Sequence, residues 1–593
     1  MFNKTPPAVI SGHLVDASRH DLREKESRTS LSSGHVASED CGSSTAETAT
    51  SSLDKDETIH HNLSTLQLLV VHIGAALTLF LATTDATIVS TSLPTITSDL
   101  RASPNQYTWV GVAYMLTQTA FQPLYGRVSD LVGRKNVLYL SMFIFALGSA
   151  LCGAAQSINW LIAARALGGI GGGGIVSAVW VITAEIVEVR KRAIWSQALS
   201  ITWSASAIAG PIIGGIFSGK NASRTGWRWG FYINLPICLF SFAVLFWSLR
   251  GIELNKPSNA SWKTLRERFD FFGLALFMSG TSCIIIGFSF ATDSGWGAPS
   301  TLALIIIGTC ILICGGFYER HTTRDSLFPA TAFRDITTIS ILVISFFHNF
   351  AFTAGTFYLA LFYQAANGDT PLASGMKLLP YSLGSSLASM PTAWFIAYWE
   401  RRTHNTSGQN KAISMGLLVS TLGFALLNLL NENSSIATEI IYPLIAGIGI
   451  GMLFHAPYQV FTRALKKSEI ATGTSAFFLV RFTGATVGLA VAGTIFYSHA
   501  ATRLPADLQS TNGSSSINYT AIRHLPTEQK QEVLHILSAS IRLIWTTCAP
   551  ILGVAFLISL AMRVMSSYDD AEIATNLTTS KTQSLTSSEI DKV

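Results

Sequence analysis

The chain has 593 residues, of which 49% are hydrophobic and 13% charged, with a formal net charge of +5. That is far too apolar for a soluble protein of this length, and the small positive excess gathers in short loops, where it reports membrane topology rather than nucleic-acid binding. An all-α polytopic membrane protein is expected, with the lipid bilayer as its constant partner.

Residues 1–66 are rich in Ser, Thr, Asp, Glu and His and hold no short hydrophobic core with a cleavage site, so they read as a disordered cytosolic tail without a signal peptide. Apolar runs of membrane-spanning length follow near 67–91, 108–125, 137–154, 160–183, 198–218 and 231–249. Two more lie near 271–291 and 300–318. Six others lie near 338–363, 377–397, 413–430, 440–461, 474–496 and 543–563, making fourteen. The organisation expected is an N-terminal six-helix bundle over 67–250, linkers with two additional helices over 251–337, a C-terminal six-helix bundle over 338–563 and a cytosolic tail over 564–593.

Lys and Arg resist translocation and collect on the cytosolic side. With the N-terminus inside, the cytosolic loops hold about twenty of them, including Arg134, Lys135, Arg190, Arg250, Arg401 and Arg463, against about five in the six short outer loops. Both termini are then cytosolic. The long outer loop expected over 497–542 carries glycosylation sequons at Asn512 and Asn518, while those at Asn259 and Asn405 fall on the cytosolic side and should stay bare. Six of the seven cysteines lie in apolar stretches, and Cys310 and Cys314, though on one helical face, lack His or carboxylate neighbours. No disulfide framework, metal or other cofactor is expected.

Between the second and third apolar runs stands a short basic segment from Gly126 to Leu138. Gly126 and Gly133 suit a sharp reversal, Asp130 and Arg134 are spaced to pair along one helical turn, and Arg134 with Lys135 marks the cytosolic side. This segment resembles the signature loop between helices 2 and 3 of the major facilitator superfamily, with Leu131 where that family usually carries a basic residue. The first run, with Asp85, Thr87, Ser90, Leu93 and Pro94, is similar to the first-helix motif of drug:proton antiporters in the same superfamily. Arg165 followed by Gly168, Gly169 and Gly171 through Gly174 resembles its arginine-then-glycine motif. Gly210, Pro211, Gly214 and Gly215 look like its export-type helix motif, with Ser206 in place of the usual leading glycine. Trp227 through Pro236 opens the sixth run in the same manner. With fourteen runs the chain is most like the 14-helix drug:proton antiporter branch known from fungi. The resemblance implies a major facilitator fold: two six-helix bundles plus two extra transmembrane helices, with a substrate cavity at mid-membrane.

An ionised side chain inside a span costs roughly 2.5–3.5 kcal/mol and calls for a partner or a task. Asp85 lies about 18 residues, or about 27 Å, into its helix, toward the outer part of the membrane. A carboxyl held away from water there has two open readings, a proton carrier or a structural group hydrogen-bonded to neighbouring helices, and Arg165, a fixed charge able to pair with it and move away, is the second coupling candidate. Arg481 has two open readings: binding an anionic substrate, or anchoring the C-terminal bundle. The glycines after Arg165 are not a phosphate loop, since no Lys-Ser or Lys-Thr follows; close helix packing is their expected role. Gly210, Pro211, Gly214 and Gly215 bend and thin the fifth helix, either as a hinge or as plain packing. His72, His348 and His455 lie in apolar runs as hydrogen-bonding groups or proton relays. Tyr114, Gln118, His348, Phe350, Tyr363, Gln364, His455 and Tyr458 are candidates for the lining of a cavity suited to a flat or amphiphilic solute.

Without a nucleotide-binding loop in the chain, an ion gradient is the expected energy source. A monomeric carrier is expected, not an enzyme: a proton-driven antiporter of the plasma membrane exporting a small hydrophobic or amphiphilic compound such as a drug, toxin, secondary metabolite or glycolipid. Vacuolar proton antiport of basic amino acids is the nearest alternative, and a non-transporting nutrient sensor is the alternative of another class.

Overall fold

The computed structural model describes residues 64–564 except 188, 220–225, 253, 255–262, 264–265, 268, 323, 325–326, 329–334, 404, 466–469 and 505–525. Almost all of the expected N-terminal tail, the C-terminal tail beyond 564, and Asn259, Asn512 and Asn518 lie outside the described residues.

All fourteen apolar runs are helical. In order they are α1 (Thr65–Asp99), α2 (Pro104–Val132), α3 (Arg134–Gly153), α4 (Ile158–Ile186), α5 (Val189–Phe217) and α6 (Asn234–Ser248). The pair α7 (Phe271–Ser294) and α8 (Pro299–His321) comes next. Then follow α9 (Ile336–Ala365), α10 (Leu379–Thr403), α11 (Ser407–Leu427), α12 (Ile436–Met452), α13 (Ile470–Ala501) and α14 (Thr527–Leu560). Short helices Pro371–Lys377 and Ala456–Arg463 precede α10 and extend α12. Helices α1 to α6 pack mainly on one another, as do α9 to α14, giving two six-helix bundles, while α7 pairs with α8 and lies against α2 and α13.

By length and composition, eleven helices among the described residues are able to cross a membrane. Of the other three, α5 has an apolar stretch described over Ile201–Phe217, while α2 and α10 are less apolar and both contact the opposite bundle: α2 meets α13, and α10 meets α5. A helix at such a seam does not need the continuous apolar surface that lipid demands. Buried Gln118, Thr119 and Gln122 on α2 and buried Ser382 and Ser385 on α10 lower its hydropathy.

Hydrogen bonds fix which helix ends lie together. Trp227 Nε1 donates to Asp99 (3.0 Å) and Arg228 Nη2 to the Ala155 carbonyl (2.7 Å), placing the ends of α1 and α3 beside the start of α6; we call this the α1–α2 end. Lys135 Nζ donates to the Leu249 carbonyl (2.6 Å), joining the start of α3 to the finish of α6 at the α2–α3 end.

Three boundaries differ from the sequence expectation. First, α1 does not stop near 91 but runs to Asp99, because its short polar side chains bond to their own helix: Ser92 donates to the Ile88 carbonyl (3.0 Å) and Thr97 to that of Leu93 (2.9 Å). Asp85 is therefore about 30 Å from one end of α1 and about 21 Å from the other, nearer its middle than expected.

Second, the basic segment is helical almost throughout. Only Gly133, at φ 96°, separates α2 from α3, and Gly126 serves instead as a point of close approach, where a Cβ would lie 3.3 Å from Ser475 Oγ on α13. Asp130 and Arg134 thus belong to different helices and not to one turn. The Asp130 side chain lies outside the described residues, and Arg134 pairs with Glu185 of α4 at 2.5 Å.

Third, α14 begins at Thr527, so the long loop expected over 497–542 is shorter. Buried Val533, Leu537 and Ile541, spaced by four, continue the packed stripe beyond the apolar run, with exposed Glu528 and Glu532 on the other face.

Candidate functional site

The glycines of α4 create the first element of the site. A Cβ on Gly169 would lie 2.2 Å from the Tyr114 carbonyl oxygen, and one on Gly171 2.3 Å from the Phe145 backbone nitrogen, so α4 touches the backbones of α2 and α3. Those obstacles are backbone, which cannot turn aside. Gly171→Val is expected to lower the yield of monodisperse protein severalfold on size-exclusion chromatography; a normal elution profile and yield would contradict it.

This close approach sets Arg165 against α1. Its guanidinium forms an ion pair with Asp85, with both side chains almost wholly buried (1% and 3% exposed). Arg165 Nε also donates to the Val110 carbonyl (3.3 Å), and the guanidinium lies 4.3 Å from the centre of the Tyr114 ring. Tyr114 donates its hydroxyl to the Ala82 carbonyl (2.8 Å). The second carboxylate oxygen of Asp85 accepts from Asn234 Nδ2 (2.9 Å), which also reaches Ser149 Oγ (3.2 Å). One carboxylate thus ties α1 to α4 and α6, with charge and hydrogen bonds satisfied. Its counter-ion sits on another helix.

The second element is an arginine at the seam. Arg481 of α13 donates through Nε to Asn349 Oδ1 (3.1 Å) and through Nη1 to the Phe454 carbonyl (3.4 Å). Its guanidinium lies 5.0 Å from the Trp203 ring of α5 and 5.5 Å from Phe454. Arg481, Trp203 and Phe454, with Trp180, His455, Tyr458 and Phe478, line a cavity of about 20 Å³, which holds little more than one water. Trp180 and Trp203 come from the first bundle and the rest from the second.

The third element closes the α1–α2 end. A Cβ on Gly215 of α5 would lie 2.7 Å from the Pro371 carbonyl oxygen, and one on Gly375 2.6 Å from that of Pro211. Gln364 Nε2 donates across the seam to the Thr91 carbonyl (3.1 Å). Lys377 at the end of the sealing helix bonds Asp369 (2.8 Å) and Glu439 (2.9 Å), and the Glu439 carboxylate also accepts from Asn367. On the other face of α5, Gly210 and Gly214 face Thr87 and Ile88 of α1, and Pro211 lies inside the helix.

Of the candidate cavity residues, only His455 and Tyr458 line the seam cavity. Tyr114 belongs to the Asp85 network, and Gln118 is buried with its backbone against Gly173. His348 lies behind Arg481, its Nε2 at 3.0 Å from the Ile450 carbonyl and its Nδ1 at 3.2 Å from Asn349. Phe350 is buried with its backbone beside Gly488, Tyr363 donates to the Glu439 carbonyl (3.1 Å), and Gln364 crosses the seam. His72 is a packed group, 4.3 Å from the Trp195 ring. The sequence reading missed Asn234, Asn349, Trp180, Trp203, Glu185 and Glu439. Asn234 and Asn349 were findable, as amides in otherwise apolar helices; the tryptophans were not, since an aromatic ring suits lipid and cavity equally.

Two six-helix bundles meeting along a seam, with buried charges in each and eleven helices among the described residues able to cross a membrane, have the architecture of a membrane carrier. The sequence profile of the Major Facilitator Superfamily matches residues 75–489. The chain is 33% identical over 490 residues to an uncharacterized transporter of Schizosaccharomyces pombe, covering 82% of this chain and 80% of that one. It is 31% identical over 482 residues to the efflux pump dotC of Dothistroma septosporum, covering 80% of each. It is 27% identical over 513 residues to the efflux pump FUS6 of Gibberella fujikuroi, covering 84% of this chain and 90% of that one. In fold it is similar to a bacterial homolog of the human lysosomal transporter Spinster in its inward-facing, occupied conformation, at a TM-score of 0.54 and 15% identity, over 84% of this chain and 97% of that one. The chain belongs to the Major Facilitator Superfamily of membrane transporters, as its motifs led us to expect.

Proposed function

We propose that this transporter is a proton-coupled antiporter that exports a small hydrophobic or amphiphilic organic compound across the plasma membrane. It crosses fourteen times, with the basic α2–α3 end and both termini in the cytosol. The observation that carries the reading is the Asp85–Arg165 pair, a carboxylate in a dry interior whose counter-ion stands on a different helix. When rocking of the bundles shifts α1 against α4 within the first bundle and the two part, Asp85 takes a proton from the outer side. When they rejoin, the proton leaves toward the cytosol, while the substrate crosses the other way. One proton entering down 100 mV and one pH unit yields roughly 3.7 kcal/mol, enough to hold a neutral solute several hundredfold out of balance. Similarity to two fungal efflux pumps supports the outward direction.

Comparison of small molecules in cells and medium, between the parent strain and a strain lacking this gene, tests the proposal. The cargo is expected to be retained by the deletion strain, and by the parent when a protonophore collapses the gradient. Unchanged medium with altered vacuolar amino acids would overturn plasma-membrane export.

A further inference from the structure

Among the described residues, Arg165 and Arg481 are the two most deeply buried arginines, and they differ in one respect. Arg165 has Asp85; among the described residues, no carboxylate lies within ion-pair distance of Arg481. Its hydrogen-bond partners are a neutral amide and a backbone carbonyl. An uncompensated guanidinium inside a membrane protein is among the least favourable groups to keep, and packing alone would be served by a neutral side chain. A charge retained there is completed by an anion that comes and goes.

The walls indicate what kind of anion. Trp203 and Phe478 lie nearly parallel, 6.4 Å apart with 16° between their planes, and Phe478 lies 5.9 Å from Trp180. Parallel rings beside a guanidinium suit a flat aromatic guest. Trp180 lines the same cavity from the opposite bundle, and its Nε1 is buried with no hydrogen-bond partner among the described residues, which leaves a second donor beside the site. Two donors, one charged, and no carboxylate select an acceptor-rich group.

We propose that the transported compound is a planar aromatic anion, a carboxylate or sulfonate, held between Arg481 on the second bundle and Trp180 and Trp203 on the first. This rests on the transport reading above and names its substrate class. The cavity of about 20 Å³ is the collapsed state of the site, so the guest enters when the bundles separate and bridges them when they close.

Binding to the full-length protein in detergent, read by quenching of tryptophan fluorescence, tests this with two pairs of probes. Fluorescein and anthracene-9-carboxylate are flat anions; rhodamine 123 and 9-aminoacridine are flat cations of matching ring systems. The anions are expected to bind saturably and at least about tenfold more tightly than the cations. Arg481→Met should lose about tenfold or more in anion affinity, Arg481→Lys should retain most of it, and Trp180→Phe should lose a smaller share, each variant eluting as a folded monodisperse species. Equal binding of the two charge classes, no saturable anion binding, or an Arg481→Met protein that binds anions as wild type does would each overturn the proposal. Binding needs no gradient, so the two readings fail separately. Anion preference with gradient-insensitive transport would sink antiport and leave the site standing; gradient-driven movement of the cations, indifferent to Arg481→Met, would do the reverse.

Discussion

Asp85→Asn is expected to abolish gradient-driven transport while leaving a carrier that still folds. Asparagine keeps the shape of the side chain and can still accept the Asn234 hydrogen bond (2.9 Å), but it cannot carry a proton or neutralise Arg165. Removing one member of a buried pair costs about 3–5 kcal/mol because the survivor is left charged and unpaired. Each single change should therefore lower yield and thermal stability, Arg165→Leu no more than Asp85→Asn, since an Asp85 left without its cation can take up a proton whereas an unpaired Arg165 stays charged. Combining Asp85→Asn with Arg165→Leu should restore yield and thermal stability toward wild type without restoring transport. The measurement is substrate flux in proteoliposomes under an imposed pH gradient, beside thermal unfolding of each variant. Flux in the double variant equal to wild type would remove this pair from the coupling mechanism.

Gly215→Leu is expected to force open the seam at the α1–α2 end. The side chain has no free direction: a Cβ would stand 2.7 Å from the Pro371 carbonyl oxygen and 2.8 Å from Leu372 Cα, both backbone atoms of the sealing helix. Lys377 pins that helix to Asp369 and Glu439, so the strain passes to the contact between bundles. Overpacking of this kind costs about 1–3 kcal/mol against the closed arrangement, and each 1.4 kcal/mol is about a tenfold shift in population. Gln364, buried and bonded across the seam, reports the change. With the native cysteines replaced by alanine, a Gln364→Cys protein should react slowly with a hydrophilic maleimide. Adding Gly215→Leu should raise that rate roughly tenfold, and an unchanged rate would show that the seam yields elsewhere.

The sequence disclosed the fold wherever a physical demand repeats along the chain. Apolar runs of bilayer length led to the long helices, eleven of which among the described residues are able to cross a membrane, because lipid tolerates little else. It misjudged boundaries where polar residues do helical work. The Ser and Thr residues at the end of α1 look like a loop but satisfy themselves on their own backbone, and the start of α14 is amphipathic, a pattern that continuous apolarity does not mark. Asp85 and Arg165 stood out singly because a charge in a span is rare, yet their pairing across 80 residues depends on the depth and facing of two helices. The seam cavity was least legible. Trp180 and Trp203 sit in segments where a lipid-facing ring would look the same, and Tyr363 and Gln364, which looked suited to a cavity, instead tie the closed end together.

Helix α7 is in contact with both leaves of the carrier. It lies against α2 of the first bundle and α13 of the second, and Thr494 of α13 donates to its Phe288 carbonyl (2.6 Å). A buttress across one side of a two-leaved body leaves less freedom there than on the opposite side, where, among the described residues, no third helix of that kind spans the α5–α10 contact. Alternation would then resemble a book turning about its spine, with the strut as the spine and the α5–α10 edge travelling furthest. An oily guest dissolved in the bilayer would meet a barred flank on the spine side, and its lateral way in or out would lie along the free edge.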